Sequence, residues 1–225
     1  VKMMENAIAD DEVERIYASF DTGGGEVSGC FDAVDAIYAM RGKKPMIALV
    51  DDSAYSAGYA LASAFDRILL PRTGGVGSVG VIATHFDRSE AEKKAGYKPT
   101  MIFAGKHKAD MSPHGPLSTD AVKRIQERVD SHYDLFCATV ARNRGMTVEA
   151  IKATEALTFH GQEAVDIGFA DEIVSMARAS SQVFTVPTPV GTNAKQNEEE
   201  ASKMPWKHLL QEMGLEEKET DEANE

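Results

Sequence analysis

Short β-rich runs alternate with segments of helical spacing through much of this 225-residue chain. Residues 15–20 (RIYASF) and 46–52 (MIALVDD) predict strands, and apolar side chains recur at helical spacing within residues 27–40 between them. Two strands joined by a helical crossover form a βαβ unit, in which the strands pair in parallel. The sequence therefore predicts an α/β fold with a parallel sheet and helical crossovers.

The alternation continues after residue 52. The most regular segment is a helix that begins near Ser118, carries apolar side chains three and four positions apart, and ends near Gly145. Arg142 and Arg144 near its end and the glycine after it are typical of a helix C-terminus. The other segments predict a helix over residues 56–65, strands over residues 67–71, 80–86 and 100–105, and a helix over residues 89–96.

The charge balance argues against one common class of partner. The chain carries 24 basic and 36 acidic residues, whereas a protein that binds a phosphate backbone needs an excess of Lys and Arg, so we expect no nucleic acid as partner. No run approaches the roughly 20 apolar residues that span a bilayer, so we expect no membrane contact through this chain. Cys30 and Cys137 are too few for a disulfide framework and favour a reducing, cytoplasmic setting.

The chain divides into a domain and a tail. Residues 1–179 hold the alternating pattern and predict one globular domain. Residues 180–193 are rich in Ser, Thr, Pro and Gly, which is typical of a linker. Residues 191–225 hold ten acidic residues and four lysines, so we expect residues 180–225 to form a linker and an acidic, mostly disordered tail.

Two loops that follow predicted strands carry candidate chemistry. In residues 21–25 (DTGGG), three consecutive glycines let the backbone approach a ligand closely and present its N–H groups; a flexible turn is the alternative. Ser56 lies between a predicted strand and a predicted helix, as in a nucleophile elbow, and the Ala57 N–H is placed to stabilise an oxyanion. A plain helix cap, made by Ser56 or Ser53, is the alternative there.

A third loop, residues 105–110 (GKHKAD), holds two lysines, Lys106 and Lys108. A lysine amine acts as a general base only when burial or a neighbouring cation lowers its pKa toward the working pH. From these residues alone, a solvated loop is the simpler interpretation.

Five blocks of the sequence occur together and in a fixed order: DTGGGEVSG, SAYSAGYALASAFDRILL, TGGVGSVGV, FAGKHKAD and ALTFHGQEAVDIGFADEIV. In this order they resemble the signal-peptide-peptidase-A-like serine proteases, and within these the phage branch, the prohead or capsid-assembly proteases of lambda-type phages. The resemblance covers roughly residues 14–174, and its strength lies in the joint presence of the blocks.

This resemblance implies a Clp/crotonase-like fold and a serine endopeptidase with a Ser–Lys dyad, without a metal or another cofactor. Carried over position by position, Ser56 is the nucleophile and Lys108 is the general base, and the amides of Gly24 and Ala57 form the oxyanion hole. Lys106 stays outside the assignment. The dyad hydrolyses a peptide bond through an acyl-enzyme.

Resemblance to the phage branch also implies a biological setting. On this resemblance, we expect the protein to act inside an assembling procapsid in the host cytoplasm, where it would cleave scaffold and portal proteins. Relatives of this fold form ring-like assemblies, so a homo-oligomer that shelters the dyad is implied. Self-cleavage between the domain and the acidic tail is a further hypothesis.

Several alternatives stay open. His85 follows a predicted strand and could be the base of a Ser-His-Asp triad, with Asp87 or Asp110 as its orienting carboxylate. A bacterial signal peptide peptidase would share the dyad but carry a membrane anchor. A crotonase-fold acyl-CoA enzyme would share the sheet and the glycine-rich turns. A non-enzymatic module that docks on scaffold would keep the fold without turnover.

Residues 75–80 (GVGSVG) formally match a dinucleotide fingerprint. A strand is predicted after them instead of a helix, and no acidic residue lies about 20 positions further on, so we interpret them as a structural loop beside a substrate groove.

Two features depart from the family pattern. The chain begins with a helical segment where relatives have strands, so we expect an incomplete N-terminus. Thr22-Gly23-Gly24 also stands where many relatives have a proline before the glycines, which predicts a looser loop.

Overall fold

A computed structural model of the protein describes residues 1–175, and a six-stranded sheet lies at its centre. The strands are β1 (Ile16–Thr22), β2 (Met46–Tyr55), β3 (Arg67–Leu70), β4 (Gly75–Gly77), β5 (Thr158–His160) and β6 (Glu172–Ile173). Their order is β5-β4-β2-β3-β6, and β1 also pairs with β2. All pairs are parallel except β4 with β5, so the predicted α/β fold with a mostly parallel sheet is confirmed.

Seven helices surround the sheet within residues 1–175. They are α1 (Lys2–Ala9), α2 (Cys30–Tyr38), α3 (Ala57–Ser63), α4 (Ser89–Lys94), α5 (Thr119–Arg144), α6 (Val148–Ala153) and α7 (Gly161–Asp166). Helices α2, α3 and α5 pack on one another, and their buried side chains join those of the strands in the main core. Val34, Tyr59 and Val140, one from each of these helices, are fully buried there.

β2 is the strand that positions the candidate site. Its first half pairs with β1 on one edge and β3 on the other, and its last three residues pair with β4. Met46, Ile47, Ala48 and Val50 are fully buried, as expected for a central strand covered on both faces. Binding sites in parallel sheets lie beyond the carboxyl ends of the strands. The residue after Tyr55 therefore lies where a binding site is expected.

The long predicted helix is confirmed together with its two ends. The Ser118 side chain caps α5 by accepting a hydrogen bond from the Ala121 N–H at 3.1 Å. Gly145 follows the last turn in the left-handed conformation, with a φ of 66°, as a terminal glycine commonly does.

Two of the predicted strands are wrong. Residues 80–86 and 100–105 form neither a helix nor a strand, although α4 forms between them as expected. Most of their large apolar residues are exposed instead of buried, with Ile82 at 91% and Ile102 at 96% exposure. A short apolar run becomes a strand only where a neighbouring strand supplies hydrogen bonds, and within residues 1–175 none pairs with these segments.

The predicted linker and acidic tail, residues 180–225, lie outside the described residues. Among residues 1–175, no helix has the length and apolar character needed to cross a membrane.

Candidate active site

Ser56 occupies a sharp turn between β2 and α3. Its backbone has a φ of 51° and a ψ of −123°, a conformation that costs a non-glycine residue on the order of 1–3 kcal/mol. The Ser56 N–H donates to the Gly77 carbonyl oxygen at 2.9 Å, which fixes the turn to the end of β4. Its side chain makes no capping hydrogen bond to α3. The strained backbone and the uncommitted hydroxyl are typical of a nucleophile elbow rather than of a helix cap.

The glycine loop after β1 lies directly against this serine. Gly24 has a φ of 120°, and a Cβ on it would lie 2.7 Å from Ser56 Cβ and 3.2 Å from Ser56 Oγ. Only glycine fits this position, because any side chain would collide with the serine and the backbone conformation is strained for other residues. The structure thus brings together Ser56, Ala57 and Gly24, three of the residues singled out from the sequence.

The N–H groups of this loop have different surroundings. The Gly24 N–H donates to Thr22 Oγ1 at 3.1 Å, so a side chain of the same loop already occupies it. Gly25 lines a cleft that also contains Ser56 and Ala57, and a Cβ on Gly25 would meet nothing within 4 Å. The family resemblance implied Gly24 as a donor to an oxyanion, whereas it is the neighbouring Gly25 that lines the open cleft.

A small cleft of about 90 Å³ opens beside Ser56. Glycine-loop residues, Ala60 and residues of the segment after β4 contribute to it. Most of the larger side chains in its lining are apolar: Val27, Cys30, Phe31, Val81, Ile82 and Phe136. Such a cavity favours an apolar side chain of a bound molecule, because burial there removes apolar surface from water.

Cys30 is a second nucleophilic group in the cleft, but its environment keeps it neutral. Its Sγ lies 4.0 Å from the Ala57 carbonyl oxygen. Burial raises the pKa of the Cys30 thiol, since the thiolate would lose its hydration. The neutral thiol is a weak nucleophile, so Cys30 acts as part of the apolar wall.

Lys108 lies elsewhere on the surface. It is exposed, in a turn formed by residues 104–111, and its N–H donates to the Gly105 carbonyl oxygen at 3.0 Å. Lys106 is exposed in the same turn. The described lining of the cleft contains no lysine. The structure therefore does not bring the predicted base into the cleft beside Ser56.

His85, the alternative base, also lies outside the cleft lining. Its Nε2 is 2.9 Å from the Ser112 carbonyl oxygen, a contact within its own segment. Among the described residues, no hydrogen bond or ion pair joins the His85 ring to Asp87 or Asp110, and the charge of His85 is only the smallest of the influences on the pKa of Asp87. The side-chain and backbone hydrogen bonds of Ser89 lower the pKa of Asp87, and a hydrogen bond from Arg124 lowers the pKa of Asp110. Each carboxylate is thus bound to another partner.

The loop over residues 75–80 supports the elbow. Its first three residues form β4, no helix follows at Gly80, and the Gly77 carbonyl oxygen holds the Ser56 N–H. Gly80 and Val81 line the cleft. These contacts agree with the interpretation of this loop as a structural element beside a groove.

Within residues 1–175, no group of three or more His, Cys, Asp or Glu side chains is placed to hold a metal ion.

Comparison with known proteins gives the family. Residues 39–184, well over half of the chain, match the profile of peptidase family S49. This chain belongs to peptidase family S49. The resemblance to signal-peptide-peptidase-A-like proteases and their phage branch is confirmed, because both kinds of relative match this S49 chain.

Two phage proteins are similar to it over most of its length. Capsid assembly protease C of Escherichia phage lambda is 38% identical over 179 residues, which cover 80% of this chain and 41% of that protein. Head-tail preconnector protein GP5 of Enterobacteria phage P21 is 34% identical over 195 residues, which cover 87% of this chain and 38% of that protein. The S49 chain thus spans less than half the length of these phage relatives.

More distant relatives extend the comparison. A putative signal peptide peptidase SppA of Enterococcus faecium is 29% identical over 169 residues, which cover 73% of this chain and 48% of that protein. A solved structure of a mutant of the 1510-N membrane-bound stomatin-specific protease superposes with a TM-score of 0.52 at 16% identity, covering 79% of this chain and 74% of that one. This likeness supports the Clp/crotonase-like fold.

Sequence reasoning missed two parts of the site. One is the contact between Thr22 and Gly24; a hydroxyl two residues before a glycine is a known turn signal and was available in the sequence. The other is the contribution of Phe31 and Phe136 to the cleft wall. These side chains follow the ordinary apolar spacing of α2 and α5, so no sequence signal separates them from the core.

Proposed function

We propose that this S49 chain is a serine endopeptidase with Ser56 as its nucleophile. The observation that carries the proposal is the strained Ser56 turn, which faces Gly24 on one side and an apolar cleft on the other. Attack of the Ser56 hydroxyl oxygen on a peptide carbonyl carbon forms an acyl-enzyme and releases the amine product. Water then hydrolyses the ester and regenerates the hydroxyl.

Two backbone amides stabilise the charge on the carbonyl oxygen in this proposal. One is Ala57, the first residue of α3, directly after the nucleophile. For the other we favour Gly25 over Gly24, because Thr22 occupies the Gly24 N–H while Gly25 lines the cleft. Loss of one such donor typically costs on the order of 10²- to 10³-fold in rate.

Lys108 serves as the general base in this proposal, and assembly with further copies brings its amine to Ser56. Support comes from the segment that carries it, residues 80–118, which exposes Ile82, Phe86, Ile102 and Phe103. Exposed apolar groups clustered on one segment mark a protein–protein contact. A second copy that covers this segment would also remove water from Lys108, and a dry environment keeps an amine neutral.

The proposed substrates are proteins of an assembling phage capsid, among them scaffold and portal, with the chain's own tail as a further target. The support is the similarity to a phage capsid assembly protease and to a head-tail preconnector protein. The setting would be the procapsid in the host cytoplasm. The apolar cleft is suited to hold an apolar side chain of the substrate beside the scissile bond.

A covalent label tests the assignment of Ser56. The wild type and Ser56→Ala, each at a concentration that permits assembly, are treated with a fluorophosphonate and analysed by intact mass and peptide mapping. We expect one adduct on Ser56 in the wild type, none in the variant, and cleavage of co-expressed capsid proteins by the wild type alone. Equal labelling of both proteins, or equal cleavage by both, would contradict the proposal.

A further inference from the structure

The Thr22 hydroxyl holds the glycine loop in place. Its Oγ1 accepts the Gly24 N–H at 3.1 Å and donates to the Gly24 carbonyl oxygen at 3.3 Å. Gly23 and Gly25 on either side of Gly24 have nothing within 4 Å of their Cβ positions. Since glycine backbones are otherwise free to adopt many conformations, the two contacts of Thr22 restrict a loop that the sequence predicts to be loose.

An irregularity in the sheet places Thr22 where it can make these contacts. β1 and β2 stay in register from Ile16 opposite Met46 to Phe20 opposite Val50, but Thr22 lies opposite Ala54. β2 therefore has two more residues than β1 between these pairs. The extra length brings Thr22 beside the end of β2, immediately before the Ser56 turn.

The methyl group of Thr22 contacts the first turn of the helix that follows Ser56. A Cβ on Gly58 would lie only 2.3 Å from Thr22 Cγ2, so the missing side chain at Gly58 makes room for this methyl. One side chain thus touches two parts of the site: its methyl lies on α3 and its hydroxyl binds the glycine loop.

We propose that Thr22 is a positioning residue of the oxyanion hole, an inference that rests on the proposed function. It acts through Gly24, which lies against Ser56 and is followed by Gly25 in the cleft lining. When the Thr22 hydroxyl is absent, Gly24 loses its anchor, and the amide of Gly25 no longer has a fixed position relative to Ser56. The stabilisation of the transition state then falls while the substrate still binds.

Two substitutions separate the hydroxyl from the methyl. Thr22→Val keeps the branched shape and removes the hydroxyl, whereas Thr22→Ser keeps the hydroxyl and removes the methyl. We expect Thr22→Val to lower kcat by about 10- to 100-fold, between the effect of one hydrogen bond and that of a whole oxyanion donor, with KM unchanged. Thr22→Ser should stay within about 3-fold of the wild type.

Inhibitor binding provides a readout that a merely structural role would not move. A peptide aldehyde forms a hemiacetal with the serine and places a charged oxygen in the hole, so Thr22→Val should weaken its binding by the same factor as kcat. A non-cleavable peptide with the same sequence as the aldehyde inhibitor should bind all variants equally. Ser53→Ala is the matched control, because the Ser53 hydroxyl reaches Thr22 only at its carbonyl oxygen, 3.4 Å away.

Each outcome bears on one of the two proposals. Equal kcat values for Thr22→Val, Thr22→Ser and the wild type, with a normal Ser56 adduct in all three, would overturn the role of Thr22 and leave the protease intact. Equal loss in Thr22→Val and Thr22→Ser, with weaker binding of both peptides, would also overturn it. No adduct on Ser56 in the wild type would overturn the proposed function and this inference with it.

Discussion

The two halves of the proposed dyad differ in how completely one chain builds them. Ser56 lies at the end of a central strand, in a turn fixed by Gly77 and flanked by Gly24. Lys108 lies in residues 80–118, a segment with one short helix and a row of exposed apolar side chains. Strain at Ser56 is possible because the surrounding sheet holds the turn. No described strand pairs with residues 80–118, and we therefore propose that assembly completes the dyad.

The largest expected effect comes from removing the amine. Lys108→Met should abolish cleavage, a loss of about 10²- to 10⁴-fold or more, because no group is left to accept the Ser56 proton. In the wild type, the rate should rise toward alkaline pH, since only the neutral amine accepts a proton. The measurement is kcat/KM for a peptide substrate across pH. Lys106→Met, a matched change in the same turn, should leave the rate unchanged.

Mixing inactive variants sharpens the same comparison. If the dyad forms between copies, Ser56→Ala and Lys108→Met should complement each other after co-assembly. Some sites then combine an intact Ser56 from one copy with an intact Lys108 from its neighbour. In a ring of equal parts, about a quarter of the sites are complete. Mass spectrometry checks that the mixed assembly contains both variants. If such an assembly stays inactive, both dyad residues belong to one copy.

The second largest effect concerns the contact between Gly24 and Ser56. Gly24→Ala should lower kcat by about 10²-fold or more, because its Cβ would lie 2.7 Å from Ser56 Cβ and its backbone conformation is strained for alanine. Gly23→Ala is the matched control, since its Cβ also meets nothing within 4 Å. The measurement is peptide cleavage together with circular dichroism of both variants. Similar activity of the two would show that the close approach seen at Gly24 has no role in catalysis.

Much of the Ser56 half could be predicted from the sequence, because local signals and tertiary structure agree there. A β-rich run, a serine among small residues and a helical repeat all point to one strand, turn and helix, and the structure contains them as β2, Ser56 and α3. Two of the three glycines, Gly24 and Gly25, likewise lie beside the site, as their freedom to approach closely suggested. The approach of Thr22 to α3 was harder to predict, since it depends on the two extra residues in β2.

The Lys108 half could not be predicted in the same way. Residues 80–86 and 100–105 contain the short apolar runs of strands, yet such a run identifies only which side chains favour burial. It does not say whether the partner is another strand of this chain or another molecule. In the structure, Ile102 is 96% exposed and no described strand pairs with it. The strand-like pattern is therefore compatible with a contact surface for a second copy.

A moderate effect is expected from a charge on this surface. Ile102→Asp should weaken self-association by about 10-fold or more and reduce cleavage at limiting protein concentration, because burying an unpaired carboxylate opposes association. Sedimentation velocity across a dilution series measures the first effect. Met3→Asp is the matched control, as Met3 on α1 is also highly exposed, at 85%, but lies outside residues 80–118. If both variants associate as the wild type does, the apolar segment is not the contact surface.

The smallest effect concerns the attachment of the Lys108 turn to α5. Arg124 on α5 donates from Nε to Asp110 Oδ2 at 3.2 Å, and this contact lowers the pKa of the Asp110 carboxyl. A lowered pKa means that the contact stabilises the folded turn at any pH above the ordinary value near 4, and that this stabilisation is lost as the pH falls through the folded value. Hydrogen exchange in residues 104–111, corrected for the intrinsic rate, should therefore be slower at about pH 5 than at about pH 3. Asp110→Asn should remove the difference; a difference that persists in this variant would assign it to another group, such as Asp87, whose pKa is also lowered.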